Sequence, residues 1–267
     1  MKSRYCYWSV ATGEYSAMMV KCLASAREAG VFKEFHILTD TEIRDSECYD
    51  WMGLDLADGM FKMGYLKAAI SRLNYDYYIW VDADTVFTAN PDQILKTLGR
   101  SPIHVPLVDV PENPQIGANI RSLSFSDYRQ IMLKAGLFGR ARISRSAFWI
   151  VKRAAVDIVC ELAQHYYAVA KSVGVVPHGD CALSYAMQML CADPDAHLAN
   201  LRPDLWGSDD CCEYQFDGRV CRQFKGGCTP AVLHQPVKRR LQIEKSTNSV
   251  FLTGCEVEKL EKGDSEI

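Results

Sequence analysis

Two aspartates separated by one small residue, Asp82 and Asp84, are the side chains in this sequence best suited to chemistry. They end an apolar and aromatic run that starts at Tyr77, and such a run predicts a buried β-strand. Residues two apart on an extended chain point the same way, so we expect both carboxylates to converge at the carboxyl end of this strand. Paired carboxylates need a positive partner, and oxygen ligands suit Mn²⁺ or Mg²⁺. The pair therefore predicts a metal site that holds a phosphate-bearing ligand.

The elements around this pair alternate between strands and helices. Hydrophobic periodicity predicts strands over 5–10 and 35–39 with a helix over 16–29 between them, and a helix over 61–73 that leads into the central strand. Such a βαβ opening favours a parallel sheet, and open α/β sheets bind their ligands at the carboxyl ends of the strands. Later strands are predicted over 103–110, 143–151 and 231–234, and later helices over 154–170 and 182–190. We expect a single α/β domain with a mostly parallel twisted sheet and helices on both faces.

The composition of the chain excludes several classes of function. Hydrophobic residues make up 48% of the 267 positions, which is ample for a core, and the net charge of −3 gives no electrostatic reason to expect nucleic acid as a partner. The longest charge-free run, 181–192, is shorter than the ~18 residues that a membrane span needs. Glu14 interrupts the apolar amino-terminal stretch, so no signal peptide is expected.

The cysteines favour a reducing compartment. Their number is eleven, and an odd count without a signal peptide is typical of free thiols, so we expect a cytoplasmic protein. Four of them cluster in the sequence: Cys211, Cys212, Cys221 and Cys228. Either a structural metal or ordinary half-buried cysteines would explain this cluster, but no CxxC pair is present, and zinc sites usually contain one.

The central stretch Asp82-Ala83-Asp84 resembles the DxD motif of GT-A type glycosyltransferases, which use nucleotide sugars. The order of the surrounding elements is similar too, with a small-residue turn after the first strand, an Asp after the second and a Lys-bearing helix before the third. This resemblance covers most of residues 5 to 240. It implies a GT-A type domain over 1–255, with a nucleotide-binding half of about 1–110 and an acceptor-side half of about 111–255. The charged tail 256–267 is expected to be mobile.

The resemblance also implies roles for the acidic residues and for a late histidine. Asp84 would coordinate the cation directly, while Asp82 would contact the ribose or a metal-bound water. His234 and Lys238 resemble the late His and Lys of retaining members, in the glycogenin and galactosyltransferase-like group, where His is a third metal ligand and Lys meets the diphosphate. The Gly and the Lys-Pro pair of that element are absent here. Asp180 would face the donor sugar or the acceptor hydroxyl, or else cap the helix that follows it.

By the same resemblance, residues near the first two strands would bind the nucleotide. Ala11, Thr12 and Tyr15 look like the first-loop contacts to base and ribose, and Asp40 like the residue that accepts a hydrogen bond from the base. Lys62 would reach the diphosphate from its helix. The alternatives are a core tyrosine, a turn aspartate and a surface lysine.

The implied function is transfer of a hexose from a UDP-linked donor to a hydroxyl of a glycan or another acceptor, with retention of configuration. The short basic run from Lys238 to Arg240 would suit peripheral contact with an anionic membrane, although such runs are usually just solvated. The sequence gives no indication of the oligomeric state.

Two other functions remain open from the sequence. Asp82-Ala83-Asp84-Thr85-Val86 also resembles the motif of haloacid-dehalogenase-like phosphatases, in which Asp82 would be the nucleophile and Asp84 the acid and base. That motif normally lies on the first strand, whereas two βα units precede it here. A binding protein that keeps a nucleotide-sugar pocket without turnover is the non-enzymatic alternative.

Overall fold

The structure is a computed structural model of the chain. It describes residues 4–44, 46–50, 61–70, 73–96, 101–105, 107–109, 119–120, 123–138, 142–144, 147–177, 179–190, 205–208, 215–216, 219–220 and 231–234. Every described residue belongs to the compact unit Met1–Gln235. The predicted tail 256–267 and the four clustered cysteines, Cys211, Cys212, Cys221 and Cys228, lie outside the described residues.

Strands and helices alternate from the first residues onward. The strands are β1 (Tyr5–Ala11), β2 (Phe35–Thr39), β3 (Glu47–Asp50), β4 (Tyr77–Val81), β5 (Thr85–Phe87), β6 (Ile103–His104), β7 (Leu107–Asp109), β8 (Asn119–Ile120), β9 (Leu123–Ser124), β10 (Arg142–Ser144), β11 (Phe148–Lys152), β12 (Trp206–Ser208), β13 (Gln215–Phe216), β14 (Arg219–Val220) and β15 (Val232–His234). The helices are α1 (Glu14–Glu28), α2 (Phe61–Ile70), α3 (Asp92–Leu95), α4 (Phe125–Lys134), α5 (Val156–Ser172) and α6 (Gly179–Leu190), and a 3₁₀ turn (Arg153–Ala155) precedes α5.

A six-stranded sheet in the order β3-β2-β1-β4-β11-β6 forms the centre of the unit. The first four strands are parallel, and β11 runs antiparallel between β4 and β6. Ala11 pairs with Thr39 and Trp8 pairs with Trp80, so β1, β2 and β4 end at the same edge of the sheet. This mostly parallel sheet confirms the fold class predicted from the sequence.

Both faces of the sheet are covered by helices, as predicted. The α1-side core packs helix α1 against one face; its members include Tyr7, Met19, Cys22, Ile37 and Val81. The opposite, α5-side core packs α2, α4, α5 and α6 against the other face; its members include Trp8, Leu66, Trp80, Ile131 and Val159. Because residues of β1 and β4 enter both cores, these strands are apolar without alternation, as expected for parallel strands buried on both sides.

The central strand is shorter than the sequence suggests. β4 ends at Val81, and the chain resumes as β5 at Thr85, which belongs to a separate three-stranded sheet in the order β12-β15-β5. The stretches 103–110 and 143–151, each predicted as one strand, are likewise divided between β6 and β7 and between β10 and β11. Asp82 and Asp84 therefore lie in the bend between two sheets. The prediction that they follow one extended strand is wrong, because the chain leaves the first sheet after Val81, before both of them.

Among the described residues, no helix combines the length and the apolar character needed to cross a membrane.

The described cysteines differ in exposure, and this difference predicts their reactivity. Cys6, Cys22, Cys160 and Cys181 are free and buried, while Cys48 is free and exposed. Burial raises the pKa of Cys22 to about 12 and that of Cys160 to about 11. Since the thiolate is the nucleophile, a pKa near 11 leaves roughly one thiolate in 1,000 at pH 8.

We therefore expect iodoacetamide at pH 8 to modify Cys48 in the native protein and to spare the four buried thiols. Peptide mass spectrometry after a short exposure measures the outcome. The same treatment in denaturant, where all thiols are solvated, is the control. Native labelling of Cys22 as fast as that of Cys48 would contradict the burial that the structure assigns to it.

Candidate functional site

Three loops meet at the edge where the parallel strands end. Strand β1 continues into the turn at Thr12 and Gly13, β2 is followed by Asp40, and β4 is followed by Asp82 and Asp84. This edge is where open α/β sheets bind ligands. The sequence predicted these groups at one edge, and the strand register places them there.

Asp82 is fixed through both its backbone and its carboxylate. Its backbone N–H donates to the carbonyl oxygen of Ala147, just before β11, at 2.9 Å. The indole N–H of Trp80 donates to Oδ1 of Asp82 at 2.6 Å. A hydrogen bond to a carboxylate is roughly twice as strong as one between neutral groups, so this contact holds the carboxylate in one orientation.

The residue before Asp82 is held from the other side of the strand. The paired ladder between β1 and β4 ends at Trp8 and Trp80. The hydroxyl of Ser9, whose side chain is fully buried, then donates to the carbonyl oxygen of Val81 at 2.6 Å. A buried carbonyl without a partner would be costly, so this contact supports the point where the chain leaves the sheet.

Asp84 is the last residue of the bend, directly before β5, and is half-buried. The preceding Ala83 is only 3% exposed and packs in the α1-side core, which anchors the bend to helix α1. Asp84 also lies close enough to Cys22 of α1 to contribute, after burial, to the raised pKa of that thiol. The carboxylate of Asp84 is therefore positioned by a packed turn.

Strand β15 brings the backbone of His234 next to this bend. β15 pairs antiparallel with β5, with Val232 opposite Phe87 and His234 opposite Thr85. Because Thr85 directly follows Asp84, the predicted metal ligands Asp84 and His234 lie on adjoining backbone segments. The side chain of His234 and all of Lys238 lie outside the described residues.

The loop after β1 is a tight turn that Asp40 holds in place. Gly13 has φ 56° and ψ −126°, and the N–H of Tyr15 donates to the carbonyl oxygen of Thr12 at 3.2 Å. These features define a type II′ turn with glycine at its first central position. The carboxylate of Asp40 accepts the N–H of Gly13, at 3.0 Å to Oδ2 and 3.3 Å to Oδ1. Asp40 therefore links the ends of β1 and β2.

The predicted first-loop contacts differ in how accessible they are. Ala11 is fully buried and packs in the α1-side core, so a ligand could meet it only through its backbone. Thr12 and Tyr15 are half-buried, and the Tyr15 ring also packs against the α1-side core. Asp40 is exposed.

Replacing Gly13 by Ala should destabilise the protein by about 1–3 kcal/mol, because an L-residue with this φ and ψ is strained. A Cβ atom at Gly13 would meet no other atom within 4 Å, so the cost is conformational. The midpoint of urea unfolding measures it. Gly64→Ala is the matched control: Gly64 lies inside α2 with open space around it, so the same substitution there should stabilise by up to about 1 kcal/mol. Equal midpoints for the two variants would contradict the turn geometry.

Two further predicted residues lie at the starts of helices. Lys62 is the second residue of α2, and Asp180 is the second residue of α6, which begins at Gly179. Asp180 therefore lies within the first turn of its helix, where an acidic residue complements the helix dipole, and it does not precede the helix as the capping interpretation required. The side chains of both residues lie outside the described part of the chain.

The donor atoms near the bend fit a hard divalent cation. Asp82 and Asp84 supply carboxylate oxygens, and the strand register places the backbone of His234 opposite Thr85, the residue after Asp84. Among the side chains that the structure describes, no three His, Cys, Asp or Glu residues cluster as metal ligands. A third protein ligand would come from His234, whose side chain is outside that set.

Sequence analysis missed two residues that support the bend, Trp80 and Ser9. Trp80 precedes Asp82 by two positions, and this period-two spacing is a signal that the two side chains share a face. Ser9 gives no comparable signal, because its contact depends on the register of two strands that are distant in the sequence.

Comparison with known proteins decides the fold. No protein-family model and no curated protein matches the chain. A solved structure of the galactosyltransferase LgtC, in complex with donor and acceptor sugar analogues, does resemble it, with a TM-score of 0.57 and 12% sequence identity. The alignment covers 92% of this chain and 97% of the LgtC chain. The fold is that of a GT-A type glycosyltransferase. At this identity the likeness concerns the fold alone.

Proposed function

We propose that this protein is a metal-dependent glycosyltransferase that moves a hexose from a UDP-linked donor to a hydroxyl of a glycan or another acceptor. The observation that carries the proposal is the bend after β4, where Asp82 and Asp84 meet the β15 segment that ends in His234. The GT-A fold supports it, as does the fact that LgtC, with the same fold, is a galactosyltransferase.

The proposed cation site consists of Asp84 and His234, with Asp82 on the ribose or on a metal-bound water. A bound Mn²⁺ or Mg²⁺ would offset the negative charge that develops on the diphosphate leaving group. The chain's contribution is orientation: Trp80 and Ala147 hold Asp82, and the packed bend holds Asp84.

The nucleotide would lie across the ends of β1 and β2. Thr12 and Tyr15 are partly accessible there, and Asp40 is exposed beside the Gly13 turn. Because Asp40 already accepts the N–H of Gly13, a contact with the base would use the remaining lone pairs of its carboxylate.

Three more residues complete the proposed site. Lys62 and Lys238 would meet the diphosphate, and Asp180 would face the donor sugar or the acceptor hydroxyl. Retention of configuration rests on His234 and Lys238 alone. Location in the cytoplasm and peripheral membrane contact through 238–240 stay predictions from the sequence.

The fold favours sugar transfer over the phosphatase alternative. In that alternative Asp82 would be a nucleophile, whereas here its Oδ1 is occupied by the indole N–H of Trp80. The motif also follows β4, which lies in the sheet between β1 and β11 and comes after three other parallel strands in the sequence.

A screen of nucleotide sugars with Mn²⁺ tests the proposal, with release of free nucleoside diphosphate as the measurement. We expect one donor to be hydrolysed slowly, EDTA to abolish the release, and added Mn²⁺ to restore it. Phosphate release from p-nitrophenyl phosphate without any UDP release would favour the phosphatase. Tight binding of UDP and Mn²⁺ without turnover, across a broad set of donors and acceptors, would favour a binding protein.

A further inference from the structure

Three tryptophans lie side by side across the centre of the sheet. Trp8 of β1 pairs with Trp80 of β4, which pairs with Trp149 of β11. All three belong to the α5-side core and are at most 3% exposed. The Trp80 ring meets the Trp8 ring edge-on at 5.7 Å and stacks on the Trp149 ring at 6.1 Å between centroids. The indole of Trp80 is therefore held from both sides.

The three indole N–H groups differ in their partners. That of Trp80 donates to Oδ1 of Asp82 at 2.6 Å. Those of Trp8 and Trp149 are buried, and neither has an acceptor among the residues that the structure describes. The hydrogen bond to Asp82 thus distinguishes the middle tryptophan from neighbours that share its burial and its packing.

We propose that Trp80 is a positioning residue for the DxD carboxylate Asp82. The inference rests on the proposed function, because it assigns Asp82 to the cation and diphosphate site. The packed indole fixes Oδ1 of Asp82, and with it the orientation of the carboxylate that would contact the ribose or a metal-bound water.

The indole N–H of Trp80 suits this role because it is an uncharged hydrogen-bond donor. An indole N–H carries no net charge, so it orients the carboxylate without neutralising it, whereas Lys or Arg at the same place would compete with the cation. The backbone of Asp82 is fixed independently by Ala147. Trp80 therefore controls the side-chain orientation of Asp82 in particular.

Trp80→Phe and Trp8→Phe form a matched pair of variants. Both remove an indole from the same tryptophan row, but only the first removes a hydrogen bond to Asp82. We expect Trp80→Phe to weaken Mn²⁺ binding in the presence of UDP by about 10-fold or more, as the loss of an outer-shell partner does. Trp8→Phe should leave Mn²⁺ affinity unchanged. Electron paramagnetic resonance of free Mn²⁺ measures both affinities, and UDP release by Trp80→Phe should recover as Mn²⁺ approaches saturation.

A second measurement uses the wild-type protein and needs no turnover. In a spectrum of ¹⁵N-indole-labelled protein, the Trp80 indole proton should resonate downfield of those of Trp8 and Trp149. It should shift when Asp82 is replaced by Asn and when Mg²⁺ and UDP are added, while the Trp8 signal should respond to neither. The Trp-to-Phe variants assign the signals.

The outcomes separate this inference from the proposed function. The positioning role alone is overturned if Trp80→Phe and Trp8→Phe bind Mn²⁺ with equal affinity. It is also overturned if the chemical shift of the Trp80 indole proton does not change in Asp82→Asn. If wild-type protein retains no divalent cation with any nucleoside diphosphate, the proposed function fails, and the inference fails with it. Should Trp80→Phe not fold, the response of the wild-type indole signal to Mg²⁺ and UDP decides the question.

Discussion

Replacing Asp84 by Asn is expected to reduce metal-dependent UDP release by a factor on the order of 10² to 10³, the usual cost of removing one preorganised electrostatic contact. Asn has nearly the shape of Asp but lacks the charge that a divalent cation requires. The bend itself should persist, because Ala83 and Thr85 on either side of Asp84 are buried. Initial rates of UDP release over a Mn²⁺ titration measure the effect, with the identified donor held constant.

Asp157→Asn is the matched control for Asp84→Asn. Asp157 lies on the surface of α5, where its exposed carboxylate is 3.7 Å from the ammonium nitrogen of Lys67. A surface ion pair contributes roughly 0–1 kcal/mol, so both stability and UDP release should stay at wild-type levels. Wild-type activity in Asp84→Asn would remove the metal site from the proposal. Loss of activity together with a large fall in its melting temperature would indicate a structural role instead.

The strands at the centre of the sheet could be predicted from the sequence because their signals are local. Apolar runs starting at Tyr5, Phe35 and Tyr77 each begin a strand at the expected residue, and the alternation with helices favours a parallel sheet. Since parallel strands end at one edge, the positions of Asp40 and Asp82 follow from the same pattern. The fold class, and the edge of the sheet at which the candidate site lies, thus both follow from local hydrophobic patterning.

The bend after β4 could not be predicted in this way, because it depends on pairing between distant segments. Strand β5 leaves the central sheet to pair with β15, and the apolar run from Tyr77 to Phe87 contains no proline or glycine to mark the break. Only a family resemblance indicated His234 as a ligand, and no spacing in the sequence connects it to Asp84. Their proximity is a product of antiparallel register.

Contacts that tie separate loops together were equally inaccessible from the sequence. The turn at Gly13 was expected, but its partner Asp40 lies one helix and one strand later. Asp40 was assigned to the nucleotide base by resemblance, and the structure adds a role in fixing the loop. The contact of Trp80 with Asp82 is the exception, because a spacing of two residues already predicts a shared face.

Replacing His234 by Ala is expected to weaken Mn²⁺ binding in the presence of UDP by at least about 100-fold. Loss of a residue that only hydrogen-bonds to a metal ligand costs up to about 100-fold in metal affinity, and loss of a direct ligand should cost at least as much. The reason is that the pairing of β15 with β5 places His234 opposite Thr85, which directly follows the proposed carboxylate ligand Asp84. The strand should still form, because its pairing with β5 uses backbone groups. Calorimetric titration of Mn²⁺ into the UDP-saturated variant measures the loss.

The variant His234→Asp tests whether residue 234 sets the preference between Mn²⁺ and Mg²⁺. Imidazole is a better ligand for the transition metal Mn²⁺ than for Mg²⁺, whereas carboxylate suits both ions, so His234→Asp should regain cation binding with a preference shifted toward Mg²⁺. Ser208→Ala is the control, because Ser208 pairs with His234 from the opposite side of β15, away from β5. If His234→Ala binds Mn²⁺ as tightly as wild type, β15 serves only to complete the second sheet. A metal preference that stays unchanged in His234→Asp would likewise place the imidazole outside the coordination shell.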